Sequence, residues 1–286
     1  MPNVSRALGV SIAALLAFSA AAWAQTPQSQ QAQNPQNLSE RVRKLELDKS
    51  TGGPAPRRDI GGAWAGSANP GLTVRFPVPP MTPLGQKMFS RNKPYRGEDG
   101  GKEVPVALSN DPLNTCDPQG FPRDITFEVR GIEFVQGPTA MWQMSQYQQL
   151  WRVIWTDGRK LPTNVGKPSG PDPRYFGFSV GHWDGDYTFV VDTVGTDDRT
   201  WLNIYGDPHS ADMHVEERYT RVDHNTLNVT VTVDDPKIYT KPFVVTKYDM
   251  KWIPEQEFEE QLCVPSEMMK YQKLLAAPAG DPDASK

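Results

Sequence analysis

The sequence predicts an all-β fold: an antiparallel meander closed into a barrel, with long loops at one end and a Pro/Gly-rich wrap near its N-terminus. From about residue 132 onward, short runs rich in Val, Ile, Tyr, Phe and Trp recur at regular spacing. Turn signals separate them, among them Gly137-Pro138, Asp157-Gly158, Asp184-Gly185 and His224-Asn225. With the "GAW" strand near residue 63 the runs make nine strands, mostly joined as neighbours. Closing such a meander removes the two unpaired edges that an open sheet would expose.

Residues 1–24 read as a secretory signal ahead of this fold. Arg6 supplies the positive charge, "LGVSIAALLAFSAAA" the apolar run, and Ala22-Trp23-Ala24 the small-residue cleavage site. Cleavage after Ala24 implies a periplasmic or secreted protein. No later stretch approaches the roughly 18 apolar residues of a membrane helix. Residues 25–58 read as a disordered leader, Gln/Pro-rich at first, with a short amphipathic helix at 38–49 capped by Ser39. A single barrel domain is expected over 59–270 and a flexible tail over 271–286. Within the domain, 67–131 is dense in Pro and Gly, with one short helix at 82–92 and a run of turn chemistry at 110–123.

Thirty Lys+Arg stand against 34 Asp+Glu, and losing Arg6 with the signal moves the formal net charge from −4 to −5. That mild acidity leaves no footprint for nucleic acid or an anionic membrane. Cys116 and Cys263 are the only cysteines, so one disulfide or two free thiols are open, and a Cys-rich zinc site is excluded.

Residues directly opposed across an antiparallel pair share a face. With Asp184-Gly185 as a two-residue turn, His182 opposes Tyr187, Val180 opposes Phe189, Phe178 opposes Val191 and Phe176 opposes Thr193. This apolar face is the expected interior, which leaves Asp192 outside. With an even loop at His224-Asn225, the core residues Leu227, Val229, Val231 and Val233 oppose Val222, Thr220, Arg218 and Glu216. His214, Glu216 and Arg218 then point inward among valines. An odd loop sends Glu217 and Arg221 inward instead.

The long connections at 157–174, 195–212 and 235–241 are expected at the end where strand 213–222 begins, and small barrels bind ligands in such mouths. The 195–212 loop makes a lid that brings Arg199, Trp201, Tyr205 and His209 toward the inward row and Thr193. Buried charges are costly unless paired, so an inward row suggests either a structural ion pair or a working site. The working site is acid–base: a lyase, isomerase or hydrolase without an organic cofactor, acting on a small apolar or aromatic molecule. In it His214 shuttles the proton, Arg218 holds an anionic or carbonyl oxygen, Glu216 orients, and His209 offers a second imidazole. Arg199, Trp201, Tyr205 and Thr193 would bind the substrate. Two alternatives stay open: a non-catalytic carrier, in which the eight tryptophans help to line an apolar cavity, and a metal enzyme using His209, His214 and Glu217. No phosphate-cradling Gly loop or dinucleotide fingerprint occurs.

"GGAWAG" opening a β-meander resembles the G-x-W first strand of lipocalin-like (calycin) barrels. A second likeness covers most of residues 80–265. "NDPLNTCDPQGFPR", "RVIWTDGRKLP", "GHWDGDYTFVVDTVG" and "RTWLNIYGDPHSADMHVEERYTRV", in this order, resemble a family of secreted bacterial proteins. That resemblance implies export and a shared fold, and it brings no catalytic residue with it.

Overall fold

The computed structural model describes residues 53–66, 77–95, 104–105, 108–126, 131–254 and 256–276. The expected signal at 1–24, the helix at 38–49 and the chain beyond 276 lie outside them. Nine strands form in chain order: β1 (Gly62–Gly66), β2 (Gly131–Gln136), β3 (Ala140–Ser145), β4 (Trp151–Trp155), β5 (Phe178–Asp184), β6 (Thr188–Val194), β7 (His214–Arg221), β8 (Thr226–Asp234) and β9 (Phe243–Trp252). They run sequentially round a closed barrel, and β9 returns to β1 through Trp64↔Trp252 and Gly66↔Met250.

Strict up-and-down alternation closes only with an even number of strands, so a nine-stranded ring of this kind must contain a parallel pair. That pair is β4–β5, held by Ile154↔Ser179 and Trp155↔Val180 alone, whereas every other neighbouring pair is antiparallel. Its connection, 156–177, therefore travels from one end of the barrel to the other, because no tight turn can join parallel strands. The expectation that 157–174 belongs wholly to the loop-rich end is corrected here. The 195–213 and 235–242 connections do lie at that end, together with the described parts of 67–130. An eight-stranded, up-and-down lipocalin barrel has neither the ninth strand nor such a seam.

The two hairpins expected to have two-residue turns have three-residue loops. Asp184 pairs with Thr188, leaving 185–187, and the Val222 N–H donates to Thr226 O, leaving 223–225. In the second loop the Asp223 carboxylate accepts the Asn225 N–H at 2.8 Å, which lengthens the turn by one residue. One residue reverses a strand's faces. On β5, Ser179, Gly181 and Trp183 take the inward parity, and Phe178, Val180 and His182 the outward one, whereas Phe189, Val191 and Thr193 of β6 face inward as expected. On β7, Val215, Glu217, Tyr219 and Arg221 face the core valines of β8, and His214, Glu216 and Arg218 turn outward.

The lower barrel is filled by Trp64, Phe134, Phe189, Tyr219 and the β8 valines. Arg221 caps the closed end, donating to Asp59 O at 2.9 Å and His224 O at 2.7 Å, with its guanidinium 4.9 Å over the Trp64 ring. The loop-rich mouth is plugged. Phe121, Arg123 and Ile125 of the short helix α2 (Arg123–Thr126), Leu202, Met213, Ile238 and Tyr239 are all buried there. A buried, bidentate Arg123–Asp111 pair at 2.8 and 2.7 Å ties the plug to the 3-10 turn Pro112–Thr115. Before it, α1 (Pro83–Arg91) is capped by Thr82, whose hydroxyl accepts the Gly85 N–H. Gly85 is required there, since a Cβ would lie 2.5 Å from Ile238 O. Past β9, Ile253 and Phe258 cover Ala63 and Ala65 on the outside of β1. The Cys116–Cys263 disulfide then joins this segment to the mouth, ahead of α3 (Pro265–Tyr271) and a further helical turn, Gln272–Ala276. No helix among the described residues is long and apolar enough to cross a membrane.

Candidate functional site

The residues singled out on β7 do not converge inside the barrel. His214 Nε2 lies 2.8 Å from Asp192 Oδ1 on the outer face, and Arg218 donates to Asp184 at 2.5 Å. Glu216 is half-buried on that same outer face. Glu217, on the opposite face, is fully buried. The proposed set of His209, His214 and Glu217 is thus split across a strand, and no group of three His, Cys, Asp or Glu among the described residues stands together to hold a metal.

The lid residues serve the plug. His209 is fully buried, with Nε2 2.8 Å from the Thr200 hydroxyl and Nδ1 3.2 Å from Ser210 O, and burial holds its pKa below the ordinary value. Arg199 is exposed and grips Asp197 through Nε at 2.9 Å and a terminal nitrogen at 2.5 Å. Trp201 is buried under the Arg123 guanidinium, 5.7 Å away, and the Tyr205 N–H donates to Asn203 Oδ1 at 2.9 Å. Of the expected residues, Thr193 and Glu217 meet a buried polar network inside the barrel.

That network centres on Arg152. Parity places it: Ile154 faces the core, so Arg152 must do so too, while Trp151, Val153 and Trp155 face out. Its guanidinium donates to Gln143 Oε1 at 3.1 and 2.7 Å, to the Ser179 and Thr193 hydroxyls at 3.4 Å each, and to Glu217 Oε2. Tyr219 donates to the same Glu217 oxygen at 2.6 Å, and the Phe121 ring lies 4.0 Å from the guanidinium. Burial is the largest single influence and opposes the Arg152 charge, but Glu217, Tyr219 and Asp124 together outweigh it and hold the group above its ordinary value. From the plug, Asp124 accepts from Ser145 at 3.3 Å. Burial, reinforced by Glu217 and resisted by Arg152, pushes the Asp124 carboxyl up to about 7. Among the described residues, Asp124 Oδ1, Glu217 Oε1 and Gln143 Nε2 have no hydrogen-bond partner. Such a carboxyl can exchange a proton near neutrality.

An open space lies at the seam among the described residues. Beyond its two register pairs β4 parts from β5, and the crossing 156–177 segment walls a cleft of about 660 Å³. Its lining includes Trp151, Trp155, Tyr175, Phe176 and Phe178, and it reaches Arg152 and Ser179 of the interior network. Arg159 stacks 3.5 Å over Trp155, and Arg174 stacks 4.3 Å over Phe178. Trp151 stays 62% exposed, the ring most open to a ligand. None of the expected site residues lines this cleft. The strand "WRVIW" held the signal: its alternation puts one arginine inside and two tryptophans outside.

Neither a family model, nor a curated protein, nor a solved structure matches the chain.

Proposed function

We propose that this protein binds a small apolar or aromatic molecule in the cleft beside the β4–β5 seam, and works as a carrier rather than through the acid–base row on β7. The carrying observation is the cleft itself: about 660 Å³, with five aromatic residues among its lining. This volume falls within the range of small-molecule sites, about 300–1,000 Å³. The acid–base reading needed His214, Glu216 and Arg218 to converge under a lid, and these side chains face away from the barrel interior. An exported setting accords with the signal read at 1–24 and with the Cys116–Cys263 disulfide, which suits an oxidising compartment.

Titration with the neutral dye N-phenyl-1-naphthylamine tests this reading. Saturable binding is expected, and Trp151→Ala should weaken it about tenfold, the loss of one large aromatic contact. Trp151 is largely exposed, so the variant should fold. Absence of saturable binding by both this dye and its sulfonated analogue, or an unchanged affinity in the variant, would remove the site from the cleft.

A further inference from the structure

We infer that the cleft selects for charge: its ligand is an aromatic anion, bearing a carboxylate, sulfonate or phosphate, held by Arg174 and Lys160. This inference rests on the cleft reading above and adds the chemistry of the ligand's polar end. Of the fifteen residues lining the cleft, four are cationic and none is acidic. Over the whole chain acidic residues outnumber basic ones, for a formal net charge of −4, so the local excess does not follow from composition.

The four cations divide by what they hold. Arg152 is committed to Glu217 inside the barrel. Arg159 is committed to Asp157, which it reaches through Nε at 3.0 Å and a terminal nitrogen at 2.6 Å. Arg174 and Lys160 make no ion pair among the described residues, and Asp172, two positions before Arg174, does not pair with it. Both cations are exposed at the rim.

Arg174 is also preorganised. Its guanidinium carbon lies 4.3 Å from the centroid of the Phe178 ring in the cleft wall, and no hydrogen bond among the described residues takes up its side-chain N–H groups, which can meet a bidentate oxyanion. Lys160 follows Arg159 on the crossing segment and supplies a mobile point charge to the same space. An aromatic body could rest on Trp151 while its anionic group meets Arg174. A cleft lined by one sign of charge also concentrates anions before contact.

Two dyes with a common body isolate the charge: N-phenyl-1-naphthylamine and its sulfonated analogue 1-anilinonaphthalene-8-sulfonate. At low ionic strength the sulfonate should bind about tenfold more tightly, as expected for one or two partly exposed charge-assisted contacts. The preference should shrink as salt rises. Arg174→Gln combined with Lys160→Gln should bring the ratio of the two affinities close to one, and Arg174→Lys should retain part of it. Arg218→Gln, which removes a cation from the outer face of β7, should leave the ratio in place. Equal affinities in the parent, or a preference that survives the double substitution, would overturn the inference while leaving the cleft reading intact. If neither dye binds, the cleft reading itself falls and the inference falls with it.

Discussion

Arg152 and Arg174 both belong to the wall of the seam cleft, yet their surroundings differ in kind. Arg152 is 4% exposed and spends its donors on Gln143, Ser179, Thr193 and Glu217. Arg174 is exposed, stacked on one ring, and without a carboxylate partner among the described residues. A charge that has lost water must be matched by neighbours or the fold suffers, whereas an exposed charge can wait for a ligand at little cost. The interior arginine therefore specifies structure, and the rim arginine is free to serve recognition.

The widest separation of these roles should appear in stability. Glu217→Gln leaves Arg152 buried without its counter-charge, and breaking such a pair costs about 3–5 kcal/mol. Arg174→Gln should change stability by no more than about 0.5 kcal/mol. Urea denaturation of both variants reads the contrast directly. If Glu217→Gln unfolds at the parent's midpoint, the interior network is not what the comparison takes it to be.

Asp124 sharpens the interior half through pH. Its carboxyl is raised from 3.8 to about 7, chiefly by burial, with Glu217 adding to the effect. Arg152 opposes the shift, as do the Ser145 hydroxyl and the Ile125 N–H, and the phenols of Tyr219 and Tyr248 belong to the same cluster. Between those two values the folded chain holds a proton that the unfolded chain releases. This group's contribution to stability therefore falls as pH rises from about 4 to about 7 and levels off above that. Asp124→Asn keeps a neutral side chain of the same size. It should be more stable than the parent at pH 8, by roughly 2–4 kcal/mol, with the gap closing toward pH 4. Parallel stability profiles for the two proteins would show that Asp124 does not hold its proton.

Much of this could be read in the sequence, but not the part that decides the site. All nine strands were legible, since β-branched and aromatic runs set between turn residues leave a period-two signature. Loop length was not, because a dipeptide such as Asp184-Gly185 marks a turn without fixing whether two or three residues cross it. One residue at each hairpin reversed β5 and β7 and carried His214, Glu216 and Arg218 outside. The odd-loop register, with Glu217 and Arg221 inward, is the one the fold adopts. The seam was legible in principle, because a closed sequential ring of nine strands demands a parallel pair. The 157–174 segment, long and without a tight turn, was the place for it. An arginine between tryptophans, as Arg152 is, reads as a surface residue until its parity with Ile154 places it inside.

The smallest expected effect concerns the outer face of β7. His214 lies 2.8 Å from Asp192, with the two side chains 41% and 27% exposed. The hydrogen bond to Asp192 raises the imidazole pKa above 6.5, against partial desolvation. A raised histidine stabilises the fold fully below its unfolded value, and that contribution disappears as pH rises through the folded value. Solvent screens a pair this exposed, so it contributes no more than about 0.5 kcal/mol. His214→Ala should therefore melt about 1–2 °C below the parent at pH 5.5 and alongside it at pH 8.5. Binding of N-phenyl-1-naphthylamine should be the same as in the parent at both pH values, because β7 is separated from β5 by β6 and does not line the cleft. Were His214→Ala to abolish binding while the protein stayed folded, the ligand would have to meet β7. The distinction between a structural barrel and a recognising seam would then fail.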